Sequence, residues 1–187
     1  CMTLIAIYPF TPLKSSWLYT TMGSASAGAQ GIRDALDILA KKKQLTDNDD
    51  LQVMVLAGDG STFDMGLSST SAAIHRDLDF WYLCYDNEAY GNTGFQMSGA
   101  SPYASETATS PDGTLQKKKD IFEVWRAQKP PYIATLSSHE PVDLAEKIHR
   151  AKEMQGPKLL LALAACPTGW GFEPELSDEV ARLAIET

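Results

Sequence analysis

GDGSTFDMGLSSTSAAIHRDLDFWYLCYDNEAYGNTG, residues 58–94, opens with an acid between two glycines and closes in a polar loop dense in Asp, Asn and Glu. Just before it, LQVMVLAGDG (51–60) is an apolar run ending in a turn. Its lack of strict alternation suits a strand covered on both faces. DMGLSSTSAAIHR (64–76) predicts a helix, and DFWYLCYDN (79–87) a second strand, again nearly all apolar. Strand, helix and strand in about 35 residues is the length of a parallel βαβ crossover.

Outward from this unit the alternation continues. SASAGAQGIRDALDILAKKKQ (24–44) predicts a helix with Ile32, Leu36 and Leu39 on one face. Its small residues Ala25, Ala27, Gly28 and Gly31 allow close packing, and Lys41 to Lys43 form a solvated end that complements the helix dipole. TLIAIYPF (3–10) is a short strand candidate, broken by Pro9 and Pro12, and TDNDD (46–50) is a polar loop. Residues 90–114 are polar and rich in Gly, Ser, Thr and Pro. A loop of that length in a compact domain is functional or disordered. KKKDIFEVWRAQK (117–129) predicts a helix, PPYIATLS (130–137) a strand and PVDLAEKIHRAKEM (141–154) a helix with Pro and Asp in its first turn. KLLLALAA (158–165) reads as a fully buried strand, ended by CPTGW. With no internal repeat and no clean boundary, the expected fold is α/β: a mainly parallel sheet with helices on both faces.

The 187 residues suffice for one domain with a proper core, and 44% apolar with 21% charged residues is ordinary for a globular protein. A net charge of -8 argues against a nucleic-acid surface. No apolar run approaches a membrane span, and nothing at the start reads as a signal peptide. The three cysteines, Cys1, Cys84 and Cys166, are too few and too widely spaced for a disulfide framework, so a cytoplasmic location is expected. The chain starts at Cys and stops within an apparent helix. The expectation is a single domain, 1–187, lacking N-terminal and C-terminal segments.

In open parallel sheets, ligands sit outside the carboxyl ends of the strands. Asp59 and Asn87, 28 residues apart, each follow such an end. If their strands are neighbours, an Asp carboxylate, an Asn amide oxygen and a nearby carbonyl form a hard oxygen set suited to Mg²⁺ with phosphate and water. Gly58 and Gly60 let the backbone approach a phosphate, and the following helix offers N–H groups and a positive dipole end. GDG alone is a common turn; it is the strand before it, the helix after it and the second strand ending in DNEAYGNTG that turn the reading toward a Mg²⁺–diphosphate site.

GDG followed after 25 to 30 residues by Asn resembles the thiamine diphosphate motif. The longer string GDGSTFDMGLSS … LCYDNEAYGNTGFQMSGASPY, with CPTGW later, resembles the β subunit of 2-oxoacid:ferredoxin oxidoreductases, the pyruvate:ferredoxin oxidoreductase group. YPFTPLKSSW and KKKDI … PPYIATLS fit as well, so the resemblance covers nearly the whole chain. It implies a thiamine diphosphate-binding fold, with Mg²⁺ held by the side chains of Asp59 and Asn87 and the carbonyl of Ala89. Gly58, Gly60, Ser61 and Thr62 would face the diphosphate. Asn92, with Thr93 beside it in NTG, would point toward the thiazolium carbon and the substrate carbonyl, where a neutral amide stabilises developing negative charge. An Asx turn is the structural alternative for Asn92.

The resemblance further implies a 4Fe-4S cluster near the cofactor, with Cys1 and Cys166 among its thiolate ligands. The family's N-terminal CxxC is absent from this chain: either a preceding segment is missing or the cluster is incomplete. Read without the resemblance, Cys1 is an uninformative terminus and Cys166 a core thiol; Cys84, inside an apolar strand, is a small core residue. Trp17 and Trp170 lie near the two cluster cysteines in sequence and are candidates to shield it. His75, His139 and His149 show no metal-ligand spacing.

The implied activity is oxidative decarboxylation of a 2-oxoacid, with coenzyme A as acyl acceptor and electrons passed through the cluster to ferredoxin or another acceptor. A partner α subunit would complete the thiamine site and supply the activating Glu. The candidate substrates are pyruvate and an aryl 2-oxoacid such as phenylglyoxylate: many relatives carry a basic residue where Met97 stands, and the change fits a larger, less polar substrate of the aryl kind, unless the position contacts only protein. Two other classes remain open: a non-redox thiamine diphosphate-dependent decarboxylase or synthase, and a phosphate-binding module without catalysis.

Overall fold

The computed structural model describes Pro9, Thr11 and residues 13–45 and 51–186. Cys1, the expected loop at 46–50 and, Pro9 excepted, the expected strand at 3–10 lie outside the described residues. Helix α1 (Ala25–Lys41) comes first. The two apolar runs then become strands β1 (Met54–Gly58) and β2 (Trp81–Asp86), paired in parallel with Met54 opposite Trp81 and Gly58 opposite Tyr85. Between them lie a π-helical turn (Gly60–Met65) and helix α2 (Leu67–His75). A short antiparallel hairpin follows, β3 (Ala89–Tyr90) with β4 (Gln96–Met97). Helix α3 (Ile121–Arg126), strand β5 (Tyr132–Ser137), helix α4 (Pro141–Lys152) and strand β6 (Lys158–Leu163) complete the sheet, and α5 (Pro167–Trp170) and α6 (Ser177–Glu186) follow it.

Among the described residues the main sheet has four strands in the order β1-β2-β6-β5, and every pairing is parallel. The chain steps from β1 to β2 in one direction and from β5 back to β6 in the other. The reversal between β2 and β6 is the place where such sheets open a crevice at their carboxyl ends.

Alternate strand residues fill two cores, as a period of two requires. Val55, Ala57, Phe80, Tyr82, Cys84 and Leu159 pack with Ile74, Ile121 and Trp125, beneath α2 and α3. Trp81, Leu83, Ala134, Leu136 and Leu160 pack on the other face against Leu144, Ile148 and Ala151 of α4. Burying Tyr82 requires a partner for its hydroxyl, which Thr62 supplies at 3.0 Å. Burial also pushes the Cys84 thiol up, consistent with an inert core residue.

Several boundaries differ from the sequence reading, each for a local reason. The helix expected from residue 64 is preceded by the π-turn, closed by the Gly66 N–H on the Ser61 carbonyl at 2.6 Å. The helix expected over 117–129 starts only at Ile121: Lys118 and Lys119 are drawn onto acids elsewhere, and Asp120 caps the helix by accepting the Glu123 N–H at 2.9 Å. In α1 the buried side is made of small residues, Ser26 and Ala29, with Ala25 and Leu36 against the core, while Ile32 lies outside it. The carboxyl half of β6 is half-buried rather than fully buried, because it borders the crevice. The long polar segment after Tyr90 is built rather than loose: it carries the hairpin, and Thr114 exchanges backbone hydrogen bonds with Ala104 and Ser105 at 2.8 and 3.0 Å.

At the opposite end of the sheet, Lys158 is 2% exposed and donates to the Asp79 carboxylate and to the carbonyls of Met154 and Gly156. It pins the starts of β2 and β6. Asp79→Ala leaves a buried ammonium without its counter-charge and should cost about 3 kcal/mol in chemical denaturation; Lys158→Met, which removes the charge and keeps the volume, should cost clearly less. Equal losses would contradict this account.

Candidate functional site

Parallel register sets the site. Gly58 is opposite Tyr85, so Asp59 and Asn87 leave adjacent strands at nearly the same level. Asp59 is 1% exposed. One end of the Asn87 side-chain amide lies 2.6 Å from Asp59 Oδ1 and 2.8 Å from the Ala89 carbonyl oxygen. With nitrogen at that end, the amide bridges the two oxygens by donating to both. With oxygen there, a carboxylate, an amide and a carbonyl converge, an arrangement that a cation can hold together. The spacing fits one: Mg²⁺ with oxygens at about 2.05 Å has octahedral edges of about 2.9 Å. The donor set therefore fits Mg²⁺ on chemistry and on size. Among the described residues no group of three or more His, Cys, Asp or Glu could hold a metal, so a cation here relies on the mixed set.

Holding the three groups together strains the chain. Glu88, between Asn87 and Ala89, has φ +67°, a left-handed conformation that costs a residue with a Cβ about 1–3 kcal/mol. The turn is fixed from several sides. The Glu88 N–H donates to Asp86 at 2.9 Å, and Lys118 bonds both the Asp86 and Glu88 carboxylates at 2.8 and 2.9 Å. Burial alone would lower the Lys118 ammonium, but these two acids outweigh it and hold it above its usual range. Gly91 packs against the Asn87 amide: a Cβ there would lie 2.7 Å from its nitrogen.

The Gly-Asp-Gly turn is held in the same way. A Cβ on Gly60 would fall 2.1 Å from the Tyr90 ring, so only glycine lets β3 close over the turn. The Tyr90 hydroxyl donates to Asp64 at 2.9 Å, as does the Gly99 N–H, and Lys119 donates to the same carboxylate at 2.5 Å. Burial would raise Asp64, but Lys119, Gly99 and Tyr90 together keep it below the usual carboxylate range. Ser98 donates to Asp59 Oδ2 at 2.5 Å.

Asp59, Asn87 and Ala89 are thus brought together, with Gly58 and Gly60 on either side of the acid. Ser61 is buried and accepts the Gly23 N–H at 3.0 Å. Thr62 turns inward, its hydroxyl on the Gly58 carbonyl at 2.8 Å and on Tyr82, so what it can offer a ligand is backbone. Asn92 and Thr93 are exposed on the hairpin turn; Thr93 is tied to Gln96 at 2.5 Å. Cys166 is half-buried, and the Gly169 N–H points to its sulfur at 3.4 Å. The Trp170 indole N–H donates to the Asn87 carbonyl at 3.1 Å, so the CPTGW turn is bonded directly to the turn that follows β2. Cys1 lies outside the described residues. A cavity of about 280 Å³ also opens at this end of the sheet, with Asp86, Lys118, Glu140, Asp143 and Lys147 in its lining, but Asp59 and Asn87 do not line it and its lysines are engaged with acids.

Sequence reading missed Ser98, Lys118, Asp64 and Tyr90. Ser98 sits in a Gly- and Ser-rich loop with nothing to distinguish it, and Lys118 in a basic run that reads as a helix start.

An α/β parallel sheet whose first two strands end in a Gly-Asp-Gly turn and a convergence of oxygens defines a thiamine diphosphate-binding fold. The chain belongs to the thiamine pyrophosphate enzymes: residues 1–162 match the family "Thiamine pyrophosphate enzyme, C-terminal TPP binding domain". It is 40% identical over 185 residues to pyruvate synthase subunit PorB of Methanosarcina barkeri, covering 96% of this chain and 60% of that protein. It is 38% identical to ketoisovalerate oxidoreductase subunit VorB of Pyrococcus horikoshii, covering 100% and 61%. Among solved structures it is similar to a 2-oxoglutarate:ferredoxin oxidoreductase from Magnetococcus marinus with 2-oxoglutarate, coenzyme A and succinyl-CoA bound, at TM-score 0.68 and 27% identity over 81% of this chain and 47% of that one. The chain therefore spans less than two thirds of the length of the curated relatives it matches. The resemblance read from the motifs holds. No described helix is long and apolar enough to cross a membrane.

Burial, followed by the hydrogen bond from Ser98 that opposes it and the neighbouring charge of Asp86 that adds to it, raises Asp59 to about 7. The sign is unusual for a carboxylate. A folded value above the ordinary carboxylate value of 3.8 means that the group's contribution to stability is full below that value and is lost as pH rises toward 7. Asp59→Asn should therefore raise the thermal midpoint of the cation-free protein at pH 8, with the gain shrinking toward pH 4. A lower midpoint at pH 8 would contradict the assignment of Asp59 as an uncompensated buried charge.

Proposed function

We propose that this chain is the thiamine diphosphate-binding subunit of a 2-oxoacid:acceptor oxidoreductase. Asp59, Asn87 and the Ala89 carbonyl hold Mg²⁺, and Gly58, Gly60 and the backbone of Ser61 and Thr62 face the diphosphate. The observation that supports this reading is the meeting, at the carboxyl ends of β1 and β2, of the Asn87 side-chain amide with Asp59 Oδ1 at 2.6 Å and the Ala89 carbonyl oxygen at 2.8 Å. When bound, thiamine diphosphate supplies the carbon nucleophile and electron sink that decarboxylation of a 2-oxoacid requires.

The chain's own residues position and polarise. Asn92, at the exposed hairpin turn, donates an amide hydrogen bond to the substrate carbonyl oxygen as negative charge grows on it. Cys166 supplies one thiolate of a 4Fe-4S cluster and Cys1 another. The Gly169 N–H aimed at the Cys166 sulfur is the kind of contact that tunes such a cluster's potential. Trp170 links that turn to the Asn87 carbonyl, which supports a cluster held close to the cofactor. An α subunit closes the other side of the cofactor, coenzyme A takes the acyl group, and ferredoxin or a similar carrier takes the electrons. The coenzyme A and succinyl-CoA in the solved relative support the acyl acceptor. The substrate is a 2-oxoacid of the pyruvate or aryl type, handled in the cytoplasm.

In the intact complex, purified without oxygen, Asp59→Ala should abolish retention of thiamine diphosphate. Asn92→Ala should retain it and lower kcat for 2-oxoacid-dependent cluster reduction by about 10²–10³-fold. Full activity of Asn92→Ala, or a native complex that binds no thiamine diphosphate, would refute the proposal.

A further inference from the structure

We infer that Ser98 selects the cation: by occupying one oxygen of Asp59 it confines that carboxylate to a single-oxygen contact, which favours Mg²⁺ over larger ions. The inference rests on the Mg²⁺–diphosphate reading and deepens it. Ser98 follows β4 and is buried. Its hydroxyl oxygen accepts the Ala100 N–H at 3.1 Å, and its proton goes to Asp59 Oδ2 at 2.5 Å. The other oxygen, Oδ1, is the one beside the Asn87 amide. The two oxygens of one carboxylate thus have separate duties, one toward protein and one toward the cation.

Ser98 is itself held in place. Its N–H donates to Ser101 Oγ at 3.0 Å, the Ser101 N–H returns to the Ser98 carbonyl at 3.1 Å, and Ser101 Oγ donates to the Glu88 carbonyl at 2.6 Å. Glu88 lies between the other two oxygen donors, Asn87 and Ala89. One bend, residues 98–101, therefore sets the position of Asp59 relative to the rest of the oxygen set. Mg²⁺ requires a near-octahedral shell at short distance, whereas Ca²⁺ accepts longer bonds and bidentate carboxylates. With Oδ2 tied to Ser98, turning both oxygens to an ion costs Asp59 the geometry of that hydrogen bond. Without the hydroxyl, Oδ2 has lost this donor, and the carboxylate gains by turning both oxygens to the ion.

The test is thiamine diphosphate binding to the intact complex, stripped of cation and cofactor, titrated with Mg²⁺ and separately with Ca²⁺. Ser98→Ala should raise the Mg²⁺ concentration needed for half-maximal binding by about 10–100-fold, the usual effect of removing a group that orients a metal ligand. The Ca²⁺ requirement should change less, so the preference for Mg²⁺ shrinks. Ser98→Thr, which keeps the hydroxyl, should restore it. Ser98→Cys, which keeps the size with a poor donor, should behave like Ala and serves if the alanine variant does not assemble. Unchanged requirements for both ions, or an equal loss for both, would assign Ser98 a structural role only and overturn the inference. A native complex that binds no thiamine diphosphate with either ion would fail the functional reading itself, a result distinct from normal binding with an unaltered variant.

Discussion

A buried carboxylate surrounded by other oxygens is the constraint on which this structure depends. Asp59 is enclosed at the end of β1, and the Asn87 amide that meets it, itself against the Ala89 carbonyl, is carried on a strained turn. Packing alone would not favour this arrangement. Desolvating a carboxylate is costly, and so is a left-handed Glu88. The compensations lie around it: Lys118 across Asp86 and Glu88, the Asp64 network under Tyr90, and Ser98 on the outer oxygen of Asp59.

The rest of the fold serves to bring these pieces to one place. Parallel pairing of β1 with β2 puts both turns at the same sheet end, and β6 next to β2 brings the CPTGW turn beside them. The bond from Trp170 to the Asn87 carbonyl joins the two loops without any intervening residue. Phe95, itself at φ +62°, covers Gly169 so closely that a Cβ there would lie 1.9 Å from its ring. The turn after β2, the hairpin and the cysteine turn are thus one packed unit rather than three independent loops.

How much of this was legible in the sequence follows from what each residue's signal is. The strands could be read because buried parallel strands are continuous apolar runs, and Asp59 and Asn87 because each ends one of those runs. The neighbouring placement of the two strands was only a condition in the sequence, and the register now meets it. The small inward face of α1 differs from the sequence reading because Ile32 has the right spacing but lies exposed among the described residues. Ser98, Lys118 and Asp64 act across 30 or more residues of chain, and a contact of that kind leaves no local periodicity to find. The inward turn of Thr62 was equally hidden, since its partner Tyr82 belongs to another strand.

The central claim is that the Asp59, Asn87 and Ala89 oxygens hold a cation that in turn holds a diphosphate. Its most direct test is pulsed electron paramagnetic resonance of the intact complex with Mn²⁺ in place of Mg²⁺ and thiamine diphosphate added. The account predicts phosphorus-31 couplings on a protein-bound Mn²⁺ in the native complex, and loss of that bound species when Asp59 is replaced by Ala. Bound Mn²⁺ with no phosphorus coupling, or couplings that survive the loss of the Asp59 carboxylate unchanged, would contradict it.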